Sequence, residues 1–514
     1  MKYFLDKYDS LALALGLLIL SIAMFFPVSS DMATFIQGGM ILNNGGSLYV
    51  DYFDVKPPFV YYFFEFLYSI FGKNITLYRL FDFVYQTIFL LSCIYIFEKL
   101  DFRKNAIRLF TVLMPMAYVT LSFPHTFQVE SLLFLPLIWY YYLSSKSNSS
   151  ITNNILKGLL LGLAINLKYT FGILLLADIL YLIIQRKNIK AIAFNTIIQI
   201  SIAFLVTLAL FLPVILSGNF NSFIDFFNYM KEYSNYPALG FSWLQNTIKF
   251  GTAFFTENYS LVLFLGALYT IFKIGTKDRE VENIVAVKGL LVFALVLFTS
   301  VVIERKLLIY HEQRLFPFLV MLSSVGLYLI FAEIKYYKKL TVAMILFVTV
   351  FFSPIPRVIN ILKFPLGVIK VGEREFYSTL IEGNEGRILN KHFAVADYIN
   401  ENTKSDKVLL INTGGNEMIC YFEFDYKYSF PQSAFYLNEK APEYLKEKAF
   451  VNIKDAETII LQNNDHSHIM FFNDDTSLSS IQKNLVIWDY IVTNFKQDTI
   501  IEDNFLIFKR NSSK

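Results

Sequence analysis

Charge and cysteine are what this chain has least of. Only 17% of its 514 residues are Asp, Glu, Lys or Arg, where soluble domains carry roughly a quarter. With hydrophobic residues at 55% and a mean hydropathy of +0.47, that shortage excludes an ordinary soluble protein and leaves an integral membrane protein. The two cysteines, Cys93 in an apolar run and Cys420 far downstream, give neither a disulfide framework nor a metal-spaced pair. Neither sign of charge is in excess: 45 basic and 42 acidic residues leave a net +3, so no nucleic-acid partner is indicated. No repeat of fixed period is present, and low complexity is confined to "SSKSNSS", which reads as a solvated loop. Lys2 and Lys7 precede the apolar run Leu11 to Val28, yet no A-x-A cleavage site follows. An uncleaved first crossing is expected there.

What is present is a long series of apolar runs. Taking about 20 apolar residues as one crossing, the candidates are Leu11 to Val28, Leu80 to Phe97, Ala106 to Leu121, Ser131 to Leu143, Leu156 to Leu167, Phe171 to Ile184, Phe194 to Leu216, Tyr259 to Phe272, Val285 to Ile303, Leu315 to Ile330 and Leu340 to Phe352. About eleven crossings of the lipid bilayer are expected, several short enough to need their flanks. Pro57 to Phe71 reads instead as an interfacial or re-entrant helix starting at the Pro-Pro pair, because proline is tolerated in a first turn.

The basic loops test this division. "EKLDFRKNAIR", "SSKSNSSITNNILK", "QRKNIK", "KIGTKDRE" and "KYYKK" all fall on one side, which the positive-inside rule makes the cytoplasm together with the N-terminus. Counting Pro57 to Phe71 as a crossing would put them outside. The outer face then gathers Asp31 to Lys56, "HTFQVE", "NLKYT", the loop Gly218 to Asn258 and "ERKLLIYHEQR". Beyond Pro354 and Pro356 the composition turns polar. Strand-like runs "KVLLIN", "EMICYF" and "ETIILQ", helix-like segments "HFAVADYINENT" and "SLSSIQKNLVIWDYIV", and a hairpin turning at Asp503-Asn504 predict a soluble α/β domain. The expected organisation is a polytopic α-helical membrane part, residues 1–355, followed by a C-terminal extracytoplasmic α/β domain, residues 356–514.

Several polar residues of the outer face stand out, each against a plainer reading. Asp31 closes the first crossing and by itself is a helix-terminal acid that stops a span. Lys56, between Asp54 and Pro57-Pro58, sits at the start of a helix whose positive dipole end attracts anions, which suggests a phosphate site; the plainer reading is a lysine snorkelling to the headgroups. Gly38, Gly39, Gly45 and Gly46 let the backbone turn between two short surface helices. Glu130 reads either as the cap of a helix beginning at Ser131 or as a functional acid, and we take the second; His125 reads as an ordinary interfacial histidine. In "ERKLLIYHEQR" most charges read as solvated, with Arg314 the exception, since its guanidinium fork suits phosphate. His311-Glu312 lacks the second histidine of H-E-x-x-H. The aromatic loop Gly218 to Asn258 reads as an interfacial helix pair, either covering an entrance for a lipid tail or acceptor or anchoring the aromatic belt.

The pattern D-x-A-x-x-x-x-G…Y-x-D-x-x-x-x-K-P-P after a first crossing resembles the outer loop of bacterial GT-C glycosyltransferases, the superfamily of protein O-mannosyltransferases and the aminoarabinose transferase acting on lipid A. "PHTFQVE" with Glu130, "GLLLGLAINLKYT" with Lys168 and "YHEQRLFPFL" extend the likeness over roughly residues 1 to 355. One departure is that this chain reads Asp31-Met32 where several relatives have Asp-Glu. The resemblance implies a GT-C type fold and a sugar donor carried on polyprenyl phosphate. Transfer from such an anionic leaving group needs fixed positive charge at the phosphate and a base for the acceptor hydroxyl. Asp31 is then the general base, Lys56 and Arg314 hold the phosphate, Glu130 and Asp54 position the acceptor or a metal, and His311 or Lys168 contacts phosphate or sugar. A single base in direct displacement implies inversion. A divalent metal fits these carboxylates, but nothing in the spacing requires one. The rival readings are a transporter or flippase of lipid-linked sugars, which would place binding groups at the midplane and often show repeats, and a surface-polysaccharide polymerase or ligase, for which more arginines are expected on the outer loops.

Overall fold

The computed structural model describes residues 6–511 except 147–149, 236–244, 246–247, 249–260, 277–282, 305–308, 335–354, 380, 383–386, 413–415, 431–433, 438–440, 464 and 466–475. Helices dominate. In chain order they begin with α1 (Lys7–Leu20), α2 (Ser30–Asn43), α3 (Pro58–Phe71), α4 (Ile75–Lys99), α5 (Lys104–Val119), α6 (Val129–Leu132), α7 (Phe134–Ser145), α8 (Ile151–Leu167), α9 (Leu174–Ile184), α10 (Ile189–Leu216) and α11 (Phe220–Asn235). Further apolar helices cover Leu261–Gly275, Ile284–Glu304 and Phe316–Ile334.

Among the described residues five segments are long and apolar enough to cross a membrane: Lys7–Phe25, Ile75–Lys99, Ile189–Leu216, Ile284–Glu304 and Tyr310–Glu333. Three shorter apolar helices accompany them at Ile151–Leu167, Tyr169–Ile184 and Val262–Gly275. The expected span Leu340 to Phe352 lies outside the described residues, as does nearly all of 236–260. The expected span Ser131 to Leu143 is broken at Leu133 into α6 and α7. Along α10, Phe194, Ile197, Phe204, Leu205, Leu208 and Leu212 are exposed. Water would penalise such a surface and hydrocarbon does not, so the helix reads as lipid-facing.

Contacts divide the chain into two compact units. The first comprises Met1–Phe26, Arg79–Leu210 and Phe241–Leu366; the second comprises Pro27–Tyr78, Phe211–Gly240 and Gly367–Lys514.

Within the first unit, helices approach through small residues. A Cβ added to Gly326 would lie 1.8 Å from the Gly266 carbonyl oxygen, and one added to Gly266 would lie 2.7 Å from that of Ser323. In lipid, where burial of apolar surface gives helices no reason to associate, such close backbone approach supplies the van der Waals contact. Gly326→Ala is expected to cost about 1 to 3 kcal/mol by overpacking. A thermal unfolding scan in detergent checks it, with Gly275→Ala as the neutral control, since nothing lies within 4 Å of a Cβ there.

A second network of the first unit joins four helices. Lys157 of α8 contacts both carboxylate oxygens of Asp178 in α9, at 3.0 and 2.8 Å, and Gln199 of α10 donates to Asp178 Oδ2 at 2.9 Å. Tyr140 of α7 donates to Gln199 Oε1 at 2.7 Å. Lys157 and Asp178 are 2% and 0% exposed, so each depends on the other for its charge.

The second unit pairs α2 with α3. Gly38 and Gly39 are not turn residues: both lie inside α2, and a Cβ on Gly39 would sit 2.5 Å from the Phe64 backbone. They are there for the crossing of α3, and the turn itself falls to Gly45 with φ +86°. Helix α3 does start at the Pro-Pro pair, with Pro57 as its N-cap. The unit also holds a four-stranded sheet of order β3-β4-β6-β5, built from β3 (Val408–Ile411), β4 (Thr458–Gln462), β5 (Phe495–Ile501) and β6 (Phe505–Arg510), after an antiparallel pair of two-residue strands, β1 (Ile381–Glu382) and β2 (Arg387–Ile388). Strands β3 and β4 pair in parallel, with Val408 opposite Thr458, and the remaining pairs are antiparallel. The β5–β6 turn centres on Glu502-Asp503, φ 53° and 52°, one residue earlier than expected. Two left-handed residues give the turn the twist that antiparallel strands need.

Two elements of this region differ from expectation. "EMICYF" is not a strand: Asn416–Tyr421 is a 3-10 helix with residues 416–420 all buried. A short apolar run buried on every side has no period by which strand and helix can be told apart. "SLSSIQKNLVIWDYIV" forms two helices, Ser477–Lys483 and Leu485–Asn494. The break is at Asn484, whose side chain accepts from the Ile487 amide and starts a new helix.

Candidate active site

Glu130, Lys168, His311 and Arg314 come together in the first unit. Their meeting depends on where helices end. Lys168 is the C-cap of α8, with φ −157° and ψ 122°, so the chain leaves the helix there. Glu304 is the last residue of the Ile284–Glu304 helix, and Arg314 lies in the short 3-10 helix Ile309–Leu315. A carboxylate at a helix C-terminus faces the negative dipole end and calls for a cation. Arg314 supplies it in a two-pronged contact, Nη1 to Oε1 at 2.7 Å and Nη2 to Oε2 at 3.1 Å.

The remaining bonds close the cluster. Lys168 Nζ lies 2.6 Å from Glu130 Oε1 and 3.0 Å from Glu304 Oε2. Arg314 also reaches Ser300 Oγ at 2.9 Å and Glu130 Oε1 at 3.3 Å, and its guanidinium lies over the Phe171 ring at 4.9 Å. His311 places Nδ1 3.1 Å from Glu304 and Nε2 3.8 Å from Glu130, while the Thr170 hydroxyl donates to Glu304. Two carboxylates therefore face two cations, and the formal charge cancels in a site where an unpaired ion would be costly. Arg314 is fully enclosed, whereas Lys168 keeps 14% of its side chain exposed.

The loop before Glu130 is held under backbone strain. Ser122 and Phe127 adopt left-handed conformations, φ 64° and 58°, at about 1 to 2 kcal/mol each for residues with a Cβ. A side chain holds the second: the Tyr118 hydroxyl accepts from the Phe127 amide at 2.9 Å and donates to Asp82 at 2.7 Å. Fully buried Arg79 donates to the Phe26 carbonyl and to Thr126 Oγ1, both at 3.1 Å. Gln313 bonds the His125 carbonyl. Burial pushes the His125 imidazole down to about 4, so it is neutral near pH 7.

Asp31, Asp54 and Lys56 belong to the second unit. Asp31, partly exposed, stands in the first turn of α2, where the helix dipole favours a carboxylate. Asp54 is 7% exposed and accepts from the Tyr61 hydroxyl and the Val55 amide. Burial raises its pKa above the usual carboxylate range, and the Lys56 charge pulls the other way. Tyr52, which donates to the Thr34 carbonyl at 2.7 Å, feels the charges of both Asp54 and Asp31. Lys56 directly precedes the N-cap of α3.

One plainer alternative falls away and one reading of charge is corrected. Glu130 does not cap a helix starting at Ser131: it lies within α6, 1% exposed. The charges of "ERKLLIYHEQR" that the structure describes are not solvated, since His311, Glu312 and Arg314 are 4%, 2% and 0% exposed and the Glu304 side chain 9%; Arg305 and Lys306 lie outside the described residues. Glu304, Thr170 and Ser300 escaped sequence reasoning, as did the Arg79, Asp82 and Tyr118 group. A signal existed for Glu304, an acid closing a long apolar helix at the end where the dipole disfavours it. Among the described residues, no group of three or more His, Cys, Asp or Glu side chains is arranged to hold a metal ion.

Residues 55–216, which include Lys56, Glu130 and Lys168, match the family model described as dolichyl-phosphate-mannose-protein mannosyltransferase. The whole chain is similar in structure to ArnT from Cupriavidus metallidurans, crystallised bound to undecaprenyl phosphate, with 14% identity, 98% of each chain covered and a TM-score of 0.59. The chain shares the fold of ArnT. The oligosaccharyltransferase of Archaeoglobus fulgidus in its apo form is 10% identical over 89% of this chain and 70% of that one, with a TM-score of 0.49. No curated protein matches the chain. The family match stops short of Asp31 on one side and of Glu304, His311 and Arg314 on the other, so those four stand on local geometry alone.

Proposed function

We propose that this protein transfers a hexose or pentose from a polyprenyl-phosphate donor to an extracytoplasmic acceptor in the cell envelope, with inversion at the anomeric carbon. The observation that carries the reading is the buried cluster of Lys168 and Arg314 with Glu130 and Glu304 in a chain of GT-C fold. ArnT, which has that fold, was crystallised with undecaprenyl phosphate. The basic loops support an N-terminus on the cytoplasmic side of the inner membrane and the region 356–514 as an extracytoplasmic α/β domain.

In the proposed chemistry the acceptor hydroxyl oxygen bonds to the anomeric carbon as the bond from that carbon to the phosphate oxygen breaks. Its proton passes to the Asp31 carboxylate, and polyprenyl phosphate leaves. Lys56 and Lys168 take the phosphate charge, a fixed electrostatic contribution of the kind that dominates many enzymatic rate enhancements. Arg314, sealed behind its two carboxylates, acts by orienting Glu130 and Glu304 and thereby Lys168. His311 contributes to the same cluster, and Asp54 positions the acceptor.

Radiolabelled polyprenyl-phosphate sugars offered to envelope fractions test the reading. Wild type is expected to label one fraction, and Asp31→Asn and Lys56→Ala at matched membrane levels are each expected to reduce labelling by about a hundredfold or more. Labelling unchanged in both variants would remove these residues from the reaction, and a product that retains the donor configuration would rule out direct displacement.

A further inference from the structure

Residues 422–430 of the second unit form neither helix nor strand, yet Phe422, Tyr426, Tyr428 and Phe430 are buried. Buried backbone that makes no ladder of its own must find partners elsewhere. Here they come from the α2–α3 segment. Lys73 Nζ donates to the carbonyls of Phe422 and Phe424 at 2.5 and 2.6 Å, Gln37 Nε2 to that of Tyr428 at 3.0 Å, and the Phe53 amide to that of Ser429 at 3.0 Å.

One carboxylate ties the same two helices together. Asp425 accepts from the Tyr68 hydroxyl of α3 at 2.6 Å and from Asn44, the C-cap of α2, at 3.0 Å, with Lys73 Nζ 3.8 Å away. Its side chain is 40% exposed, so as an ion pair it contributes little. Its value is geometric: two bonds of fixed direction set the far ends of α2 and α3 relative to each other. At the near end, the Phe53 ring stacks on Phe430 with centroids 5.2 Å apart and planes at 16°. Phe53 immediately precedes Asp54.

We propose that the strap 422–430 is a positioning element for the Asp54 to Lys56 segment, with Asp425 as its latch and Phe430 as its seat. The C-terminal part of the chain thereby sets the geometry of residues far upstream in sequence. This rests on the reading of Asp54 and Lys56 as site residues, because a strap that holds residues without a role would be packing and nothing more. Asp425 touches no reacting atom in this scheme and is a positioning residue.

The test uses the full-length protein in detergent or nanodiscs with Asp425→Ala, Asp425→Asn and the milder Tyr68→Phe. Hydrogen exchange by mass spectrometry is followed on peptides covering residues 51–58, alongside kcat and donor KM for sugar transfer. Release of the latch is expected to speed exchange in those peptides by about tenfold and to lower kcat by about tenfold to a hundredfold, with donor KM changed by less than about threefold, as for a misplaced catalytic group. Asp425→Asn, which keeps an acceptor oxygen, is expected to fall between wild type and Asp425→Ala. Should Asp425→Ala fail to fold, Tyr68→Phe carries the same comparison, since it removes one bond and no packing volume beyond a hydroxyl. Unchanged exchange in 51–58 would overturn the proposal whatever happens to kcat, and so would faster exchange with unchanged kcat. Failure of the transferase reading looks different: wild type itself would show no transfer from any polyprenyl-phosphate sugar, while exchange in 51–58 would still report whether the strap holds that segment.

Discussion

Glu304→Gln is expected to destabilise the protein by about 3 to 5 kcal/mol, the usual cost of leaving one member of a buried ion pair uncompensated. The reason lies in the count of charges. With Glu304 neutral, Arg314 and Lys168 face Glu130 alone, and Arg314 has no exposed surface through which water could solvate it. The reverse variant, Arg314→Met, leaves Glu130 and Glu304 against Lys168 and is expected to cost a similar amount. Removing one charge of each sign in Glu304→Leu with Arg314→Met restores neutrality, and most of the lost stability is expected to return. A double-mutant cycle on detergent-solubilised protein, read by thermal or denaturant unfolding, measures the coupling. Single variants as stable as wild type would show that the cluster is hydrated. If the cluster serves transfer as proposed, the double variant recovers stability and not activity.

Lys157→Met is expected to be as damaging as Glu304→Gln for the same electrostatic reason but with a different functional outcome. Asp178 would keep Gln199 as a hydrogen-bond partner and lose its cation at 0% exposure, again about 3 to 5 kcal/mol. The pair Lys157→Met with Asp178→Leu is expected to recover stability. Here activity is expected to recover with it, because the Lys157, Asp178, Gln199 and Tyr140 network joins α7, α8, α9 and α10 and has no part in the proposed chemistry. Measuring folding and transfer on both double variants separates a structural ion pair from a functional one. A Lys157→Met/Asp178→Leu protein that is stable but inactive would move this network into the site.

The two buried clusters also show where sequence reading stops. Arg314 stands out in the sequence because it adjoins a span and carries a guanidinium fork, and Lys168 stands out only through the resemblance to GT-C enzymes; Glu304 is equally central, yet it sits in a run that reads as solvated. A charge run such as "ERKLLIYHEQR" has the composition of a solvated loop, and only the return of the chain through a 3-10 helix at Ile309–Leu315 folds it back on the helix end. The glycines of α2 give a parallel lesson. Four glycines in nine residues suggest turns, yet two of them are helical and exist because another helix backbone passes within contact distance. Close approach is a property of two segments, and neither one carries it alone.

Taken by itself, the sequence determined the membrane class, the positions of most apolar helices, the helix that begins at Pro57-Pro58, the polar tail and the likeness to GT-C enzymes. Each of these depends on local quantities: hydropathy summed along one segment, the fixed φ of proline, a motif read in order. Tertiary structure alone decided which charges pair with which, that Arg314 is walled in by Glu304 and Ser300, and that residues 422–430 supply the partners of α2 and α3. Those outcomes depend on the low dielectric and on the hydrogen-bond demand of buried groups, and both are set by what surrounds a residue in space rather than along the chain.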